Sequence, residues 1–337
     1  MNFLKSLINQ FAHLMQNRPG LMAVLAFSSG VASYVLVDRK ESLAQFIALF
    51  LLFSWLWLLI DNWLRERVEQ HFGVAMSPNI MRFVLQMVQQ ESLFFALPFF
   101  LAVTSWDHPQ AIFTALIIFC AFISLIDPLY YKKLAPNRTL FVVFHAFALF
   151  VVLLVILPIL LNLTTSQSLA AALIAAIVLT IPSLGNLMQN GRWWRLPVSI
   201  LLLCVLSAGL WQLRSWVPPA ALRLTGITLS HEVDLEQRQP GASIKQLDAY
   251  TLHHQGLYTW TAVKAPRGLN EKIFHVWLLN NKEVDRITLD IKGGRDQGYR
   301  AWTHKLNFPS NPVGKWQVKV VTESEQLIGL TRFTVSP

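Results

Sequence analysis

Hydrophobic and polar positions divide the chain into two parts with different periods. Up to about residue 216, long apolar runs alternate with short polar connections, a pattern typical of membrane helices. Pro218-Pro219 ends the last of these helices. From Ala220 onward, apolar and polar residues alternate with a period of two, which predicts β-strands. The sequence therefore predicts an α-helical transmembrane bundle followed by an all-β domain.

Seven apolar runs are each near the roughly 20 residues that a helix needs to cross a bilayer. The third run is short unless its helix begins near Ile80 or Phe83, and Pro78-Asn79 is a helix-start signal. A helix that begins there would include four polar residues in the predicted span: Gln86, Gln89, Gln90 and Glu91. The seven predicted spans are 20–37, 42–59, 92–106, 111–126, 139–161, 169–187 and 196–213.

Residues 1–19 predict an amphipathic helix on the cytoplasmic membrane surface, because an apolar stripe including Phe3, Leu7 and Phe11 faces polar positions. The alternative is a cleaved signal peptide with residues 21–27 as its apolar core. Apolar sequence continues through Val37, beyond a typical signal core, which favours a first span.

Basic residues predict which side of the membrane each connection occupies. Alternate connections hold ten Lys and Arg residues, whereas the intervening ones hold only Arg39 and Lys40. Cytoplasmic loops carry an excess of Lys and Arg, so the N terminus is predicted in the cytoplasm and the C-terminal domain outside it, which in a bacterium is the periplasm. The ten are Lys5, Arg18, Arg65, Arg67, Arg82, Lys132, Lys133, Arg138, Arg192 and Arg195.

Composition agrees with a multi-pass membrane protein. The chain is 54% hydrophobic and 14% charged, against about 25% charged residues in soluble domains. The net charge is +9, but most basic residues of the first 216 positions lie in short connections beside the apolar runs, which argues against nucleic acid as a partner. Cys120 and Cys204 both lie in apolar runs, so they predict neither a disulfide framework nor a Cys-based metal site.

Seven predicted strands within residues 217–337 favour an antiparallel sandwich, with residues 20–216 forming the bundle. Asn280-Asn281 is one of the turn signals between strands, and the polar stretch 231–240 predicts a loop. The predicted strands are 222–229, 257–263, 273–279, 284–291, 299–305, 315–321 and 327–335.

Ionisable residues near the predicted cytoplasmic ends of spans two to five form the first candidate site. Such residues in membrane helices usually face the bundle or a cavity, so they can form a proton or ion path. In the alternative, Asp61 and Asp127 lie at the headgroups and pair with nearby basic residues. The tryptophans of the second span, Trp55, Trp57 and Trp63, are interpreted as an interfacial aromatic belt rather than a cofactor site. The candidates are Asp61, Glu91, Asp127 and His145.

A cationic and aromatic patch in the β domain forms the second candidate site. Side chains two apart on a strand share a face, which joins His275 to Trp277, and Arg300 to Trp302 and His304. If the two strands are neighbours, the patch can bind a glycan, a lipid headgroup or a periplasmic protein. In the alternative, the tryptophans fill the core and the histidines form hydrogen bonds there.

Motifs of known catalytic or cofactor sites are missing from the sequence. No GxSxG, HExxH, P-loop or GxGxxG pattern is present, and no histidine pair has zinc-site spacing. The sequence therefore predicts no enzyme activity, no cofactor and no metal.

Spaced residues in the last third of the chain carry a resemblance. They are His275-x-Trp277, Arg300-x-Trp302-Thr-x-Lys305, Gly314-x-Trp316-x-Val318-x-Val320 and Phe333-x-Val335. With this pattern, the segment resembles a bacterial domain of unknown function found at the C terminus of envelope proteins. The preceding helices look like the uncharacterised multi-pass region that accompanies this domain in gammaproteobacterial inner-membrane proteins. The resemblance implies a periplasmic module and offers no reaction or substrate.

The leading hypothesis is a non-enzymatic envelope protein whose β domain binds a periplasmic partner or ligand. Its candidate surface is His275, Trp277, Arg300, Trp302 and Lys305. The alternative is a transporter or lipid-handling protein that uses Glu91, Asp127 and His145 inside the membrane.

Overall fold

A computed structural model of the chain describes residues 46–56, 78–184 and 194–337, together with Ser28 and Ala32. The predicted surface helix 1–19, nearly all of the first predicted span, and Asp61 lie outside the described residues. The chain forms two compact units. One consists of helical segments, and the other joins the β domain to two segments around helix connections, 100–114 and 157–170.

Helices account for the described part of the chain before residue 217, and most are strongly apolar. Helix α2 begins at Pro78, as the start signal in the sequence predicts, and contains Pro98. The helices are α1 (Phe46–Leu56), α2 (Pro78–Val103), α3 (Gln110–Leu125), α4 (Arg138–Leu161), α5 (Thr165–Leu184) and α6 (Arg195–Gln212).

Two segments of the described helices, Phe83–Val103 and Thr139–Leu161, are long and apolar enough to cross a membrane. A third candidate is bent by 93° between Gln110–Leu125 and Asp127–Leu134. Seven spans are therefore not supported by the described residues. One reason is length, because the 16 residues of α3 reach about 24 Å at 1.5 Å per residue, short of a core of about 30 Å.

The bend after α3 comes from Asp127-Pro128. Ile126 is extended, and Asp127–Leu129 then begins a new helical turn with Pro128 near its start. The chain continues as a π-helix over Tyr130–Leu134. A π-helix is rare and often marks a functional position.

The β domain contains two main sheets and a small two-stranded one. The three-stranded sheet has the order β1-β5-β8, and the five-stranded sheet has the order β4-β10-β9-β6-β7. All seven predicted strands are present, within a residue or a few of their predicted ends. The strands are β1 (Arg223–Ser230), β2 (Val233–Asp234), β3 (Gln239–Pro240), β4 (Gln246–Asp248), β5 (Leu257–Lys264), β6 (Asn270–Leu279), β7 (Lys282–Lys292), β8 (Tyr299–Lys305), β9 (Gly314–Thr322) and β10 (Leu327–Ser336).

Local signals in the sequence explain several connections of this domain. Asn280 and Asn281 both have positive φ, of 49° and 67°, which fits a two-residue turn between β6 and β7. The predicted loop 231–240 contains the β2–β3 pair. A short helix, α7 (Ala249–Gln255), begins after Asp248, whose carboxylate accepts a hydrogen bond from the backbone N–H of Thr251 at 2.7 Å.

Side chains from both main sheets form the apolar core. At one end Val263 of β5 packs in one cluster with Ile273 of β6 and Val320 of β9. At the other end Trp277 and Trp316 pack with Leu257. The two sheets therefore face each other across a shared core.

Residues of the helix connections bond to the β domain inside the second unit. Glu271 of β6 accepts hydrogen bonds from the backbone N–H and the hydroxyl of Thr165, both at 2.8 Å. Thr165 is the first residue of α5, so the carboxylate caps this helix. Burial raises the pKa of Glu271, and the two bonds from Thr165 oppose that shift. Arg332 of β10 also pairs with Asp107, which lowers the pKa of Asp107.

Candidate functional site

We call six buried polar side chains of the helical unit the polar cluster. It brings together three segments: the middle of α2, the π-helix and α4. Its members are Gln86, Gln89, Gln90, Ser92, Tyr130 and His145, each at most 3% exposed.

A chain of three side chains forms the centre of the polar cluster. The Tyr130 hydroxyl donates to Oε1 of Gln89 at 2.6 Å, and Nε2 of Gln89 lies 3.0 Å from Nδ1 of His145. The bend after α3 places Tyr130 at the start of the π-helix, where its ring is buried. The break after α3 thus places the Tyr130 side chain in contact with two other helices.

Gln89 and His145 lie at corresponding depths in their helices. Each lies six residues after the start of its candidate span, at Phe83 and Thr139. At 1.5 Å per residue, that is about 9 Å along either helix. Polar groups at such a depth in a membrane are costly, so their presence points to a function.

Trp55 of α1 closes one side of the polar cluster. Its indole N–H donates to the Ser92 hydroxyl at 2.8 Å, and its ring packs edge-on against the His145 ring, with centroids 4.9 Å apart. The ring is buried among the helices. Trp55 thus packs inside the helical unit, where its indole has a hydrogen-bond partner, and the other tryptophans of the predicted belt, Trp57 and Trp63, lie outside the described residues.

Gln86 connects the polar cluster to Asp127. Its Nε2 donates to the backbone carbonyl of Ser124 at 3.0 Å and to Oδ1 of Asp127 at 2.9 Å. Asp127 is half-buried, and no ion pair joins it to Lys132 in the part of the chain that the structure describes. Of the predicted intramembrane residues, Asp127 thus contacts α2 through Gln86 and His145 contacts α2 through Gln89, and Glu91 is half-buried in the same segment of α2.

Three polar atoms of the cluster have no hydrogen-bond partner among the described residues. They are Oε1 of Gln86, Nε2 of Gln90 and Nε2 of His145. A buried polar atom without a partner costs roughly 1–3 kcal/mol, so an additional polar species is expected to meet these atoms.

The predicted patch in the β domain is divided between two sheets. His275 and Trp277 lie on β6 of the five-stranded sheet, whereas Arg300 and Trp302 lie on β8 of the three-stranded sheet. The strands are therefore not neighbours in one sheet, which corrects the arrangement that the patch required. Period two gives the face of each side chain but not the partner of its strand.

His275 and Trp277 are fully buried between the sheets. Nε2 of His275 lies 3.2 Å from the Thr261 hydroxyl, and Nδ1 lies 2.9 Å from the Thr303 hydroxyl. Burial lowers the pKa of His275 from its ordinary value of 6.5 to about 3. The imidazole is therefore neutral at physiological pH and bridges the two sheets.

Lys305 is also buried, with only 4% of its side chain exposed. It points to the inner side of β8, where its ammonium pairs with Asp285 of β7 and lies 5.3 Å from the centre of the Phe308 ring. His275, Trp277 and Lys305 thus lie in the interior and do not share an outer surface with Arg300 and Trp302.

Arg300, Trp302 and His304 lie on the outer side of the three-stranded sheet, as their alternation predicts. The imidazole of His304 stacks on the Tyr258 ring, with centroids 3.8 Å apart and planes within 5°. The guanidinium of Arg300 donates to the backbone carbonyl of Gln237 at 2.9 Å. This outer row is half-buried at Arg300 and Trp302 and exposed at His304.

Among the residues that the structure describes, no group of three His, Cys, Asp or Glu side chains could hold a metal ion. The polar cluster consists of amide, hydroxyl and imidazole groups, with the indole of Trp55 beside them.

Two family models match different parts of the chain, and the first match ends at residue 259. A model of the family of unknown function DUF5924 matches residues 1–259. The chain belongs to the DUF5924 family. A model of the protein of unknown function DUF2914 matches residues 270–335. No curated protein and no solved structure matches the chain. The resemblance is thus confirmed as an uncharacterised family with a C-terminal domain of unknown function.

The boundary between the DUF5924 and DUF2914 matches falls inside the β domain. β1 lies in the DUF5924 region, β8 lies in the DUF2914 region, and β5 begins before the boundary and pairs with both. The three-stranded sheet is therefore shared by the two matched regions.

Proposed function

We propose that this DUF5924 protein is an integral protein of a gammaproteobacterial inner membrane that moves a small polar solute or a lipid headgroup across the bilayer. The polar cluster carries the proposal. Apolar helices that only filled a membrane would gain nothing from six buried polar side chains, three of which leave an atom unpaired. The cluster supports transport better than the β domain supports binding, because three of the five residues of the predicted binding surface are interior.

Sidedness in this proposal follows from the basic connections. Arg192 precedes α6 in the sequence and Arg195 is the first residue of α6, and Lys132 and Lys133 lie in the π-helical segment before α4. The positive-inside rule assigns both connections to the cytoplasm, so the β domain that follows α6 is in the periplasm.

Transport is tested with the full chain in proteoliposomes. We expect the protein to accelerate entry of glycerol or urea, followed by light scattering, or transbilayer movement of a fluorescent phospholipid, followed by dithionite quenching. Gln89→Met keeps the volume but breaks the link from Tyr130 to His145, so the rate should fall to that of protein-free vesicles.

Gln212→Met makes the same substitution at an exposed position at the end of α6 and should leave the rate unchanged. Wild-type vesicles that are no faster than protein-free vesicles in both assays would contradict the transport proposal.

Binding of a periplasmic glycan by the outer row of β8 is a second candidate function. The aromatic rings and the guanidinium that lie together there have the chemistry that sugars and anionic groups favour. We expect the wild-type protein to co-sediment with purified peptidoglycan, and Arg300→Gln with Trp302→Leu to reduce the bound fraction at least tenfold without changing the unfolding temperature.

The exposed pair Lys245→Ala and Tyr250→Ala serves as the matched control and should bind as the wild type does. Loss of binding only together with loss of folding would make Arg300 and Trp302 structural residues. A wild-type protein that stays in the supernatant would remove glycan binding.

A further inference from the structure

The unpaired atoms of the polar cluster define the chemistry of its ligand. We infer that the cluster binds a small neutral group that accepts two hydrogen bonds and donates one, such as a primary amide or a hydroxyl. This inference deepens the proposed transport function and rests on it for its biological meaning. Its structural basis is the hydrogen-bond direction through Tyr130, Gln89 and His145.

The direction of these hydrogen bonds fixes the tautomer of His145. A phenol donates its proton to the carbonyl oxygen of Gln89, so the Gln89 amide group is the donor toward Nδ1 of His145. Nδ1 is therefore the acceptor, and in a neutral imidazole the proton lies on Nε2. Nε2, the unpaired ring atom, is thus a hydrogen-bond donor.

The two other unpaired atoms complete the pattern. Nε2 of Gln90 is a second donor, and Oε1 of Gln86 is an acceptor, because both amide hydrogens of Gln86 are already used by Ser124 and Asp127. Gln86 and Gln90 are four residues apart on α2, so they are neighbours on one side of the helix. For the cluster to bind such a ligand, these two donors and this acceptor must meet one amide or hydroxyl group.

Charge around the cluster favours a neutral ligand. In the described part of the chain, the buried polar residues of the helical unit include no Lys or Arg, so a bound anion would lack a counter-charge. A bound cation would face two N–H donors, at His145 and Gln90. Burying an unpaired charge costs far more than burying a neutral polar group, which favours a neutral ligand over an ionised one.

Acetamide and acetate test this inference because they have nearly the same size and differ in charge and in the amide donor. We expect saturation-transfer NMR on the full chain in phosphatidylcholine nanodiscs to detect acetamide, with acetate bound at least tenfold more weakly. Gln90→Met removes one donor and should weaken acetamide about 3- to 10-fold. Gln212→Met, at an exposed helical position, should bind acetamide as the wild type does.

The same measurement in a second lipid distinguishes a free solute from a lipid headgroup as the natural ligand. Phosphatidylglycerol carries headgroup hydroxyls, so acetamide signals that weaken in phosphatidylglycerol nanodiscs identify a lipid as the natural source, and unchanged signals identify a solute. Gln90→Glu serves as a second variant of similar volume if Gln90→Met fails to fold, and it should also lose acetamide.

Equal signals from acetamide and acetate, or no acetamide signal because ordered water alone fills the cluster, would overturn the inference. Acetamide binding without accelerated movement of glycerol, urea or lipid would contradict the proposed transport function but would still support the inferred binding site. The two failures are therefore distinguishable.

Discussion

Trp277→Ala is expected to lower the free energy of unfolding of the β domain by about 3–5 kcal/mol, the usual cost of removing a buried large aromatic side chain. Trp277 is fully buried, with edge-on contacts to Trp316, Phe333 and Phe308 at centroid distances of 6.5, 6.3 and 6.0 Å. Truncation would remove all three aromatic contacts and leave a cavity between the sheets. Denaturant unfolding of the full chain in micelles, followed by near-UV circular dichroism, measures this loss.

Trp106→Ala is the matched control, because Trp106 is 59% exposed. Its substitution should change the free energy of unfolding by no more than about 0.5 kcal/mol. Similar losses for the two variants would show that Trp277 is not a core residue.

The stability of the β domain should fall more steeply in acid for the wild type than for a variant that lacks the His275 imidazole. The folded-state pKa of about 3 lies below the ordinary 6.5, so between these values the unfolded chain binds a proton that the folded chain does not. Stability is therefore fully present above pH 6.5 and falls as the pH drops toward 3. Between pH 7.5 and 4.5 the expected loss from this group is about 2–3 kcal/mol.

His275→Gln isolates this contribution, because an amide can still bond to the hydroxyls of Thr261 and Thr303 but does not titrate. Denaturant unfolding at several pH values should give the wild type the steeper decline, with the carboxylates common to both proteins cancelling in the difference. Parallel pH profiles for the two proteins would mean that the folded state accepts the proton on His275.

Strand positions in the β domain were predictable because alternation is a local property. The burial of Ala301, Thr303 and Lys305 against the greater exposure of Arg300 and His304 follows the period of two. Strand partners were not predictable, because β8 pairs with β5, which is distant in sequence, and alternation carries no information about the partner of a strand. The prediction of a single patch failed at that step.

The candidate site in the helices was partly predictable. The start of α2 at Pro78 and the polar residues that it brings into the helix follow from local signals. Tyr130 and Trp55 were missed as members of the network, since Tyr130 reaches Gln89 only through a bend and a π-helix. A polar side chain directly after an Asp-Pro break in an apolar run is a signal that could have found Tyr130.

The three-stranded sheet contains strands from both matched regions, so the two regions cannot be separated without dividing this sheet. A fragment beginning at residue 270 would keep β8 but lose β1 and β5, the two other strands of its sheet in the described part of the chain. The DUF2914 segment of this chain is thus an incomplete part of the β domain. We expect a DUF2914 segment that follows a different N-terminal region to take equivalent strands from that region.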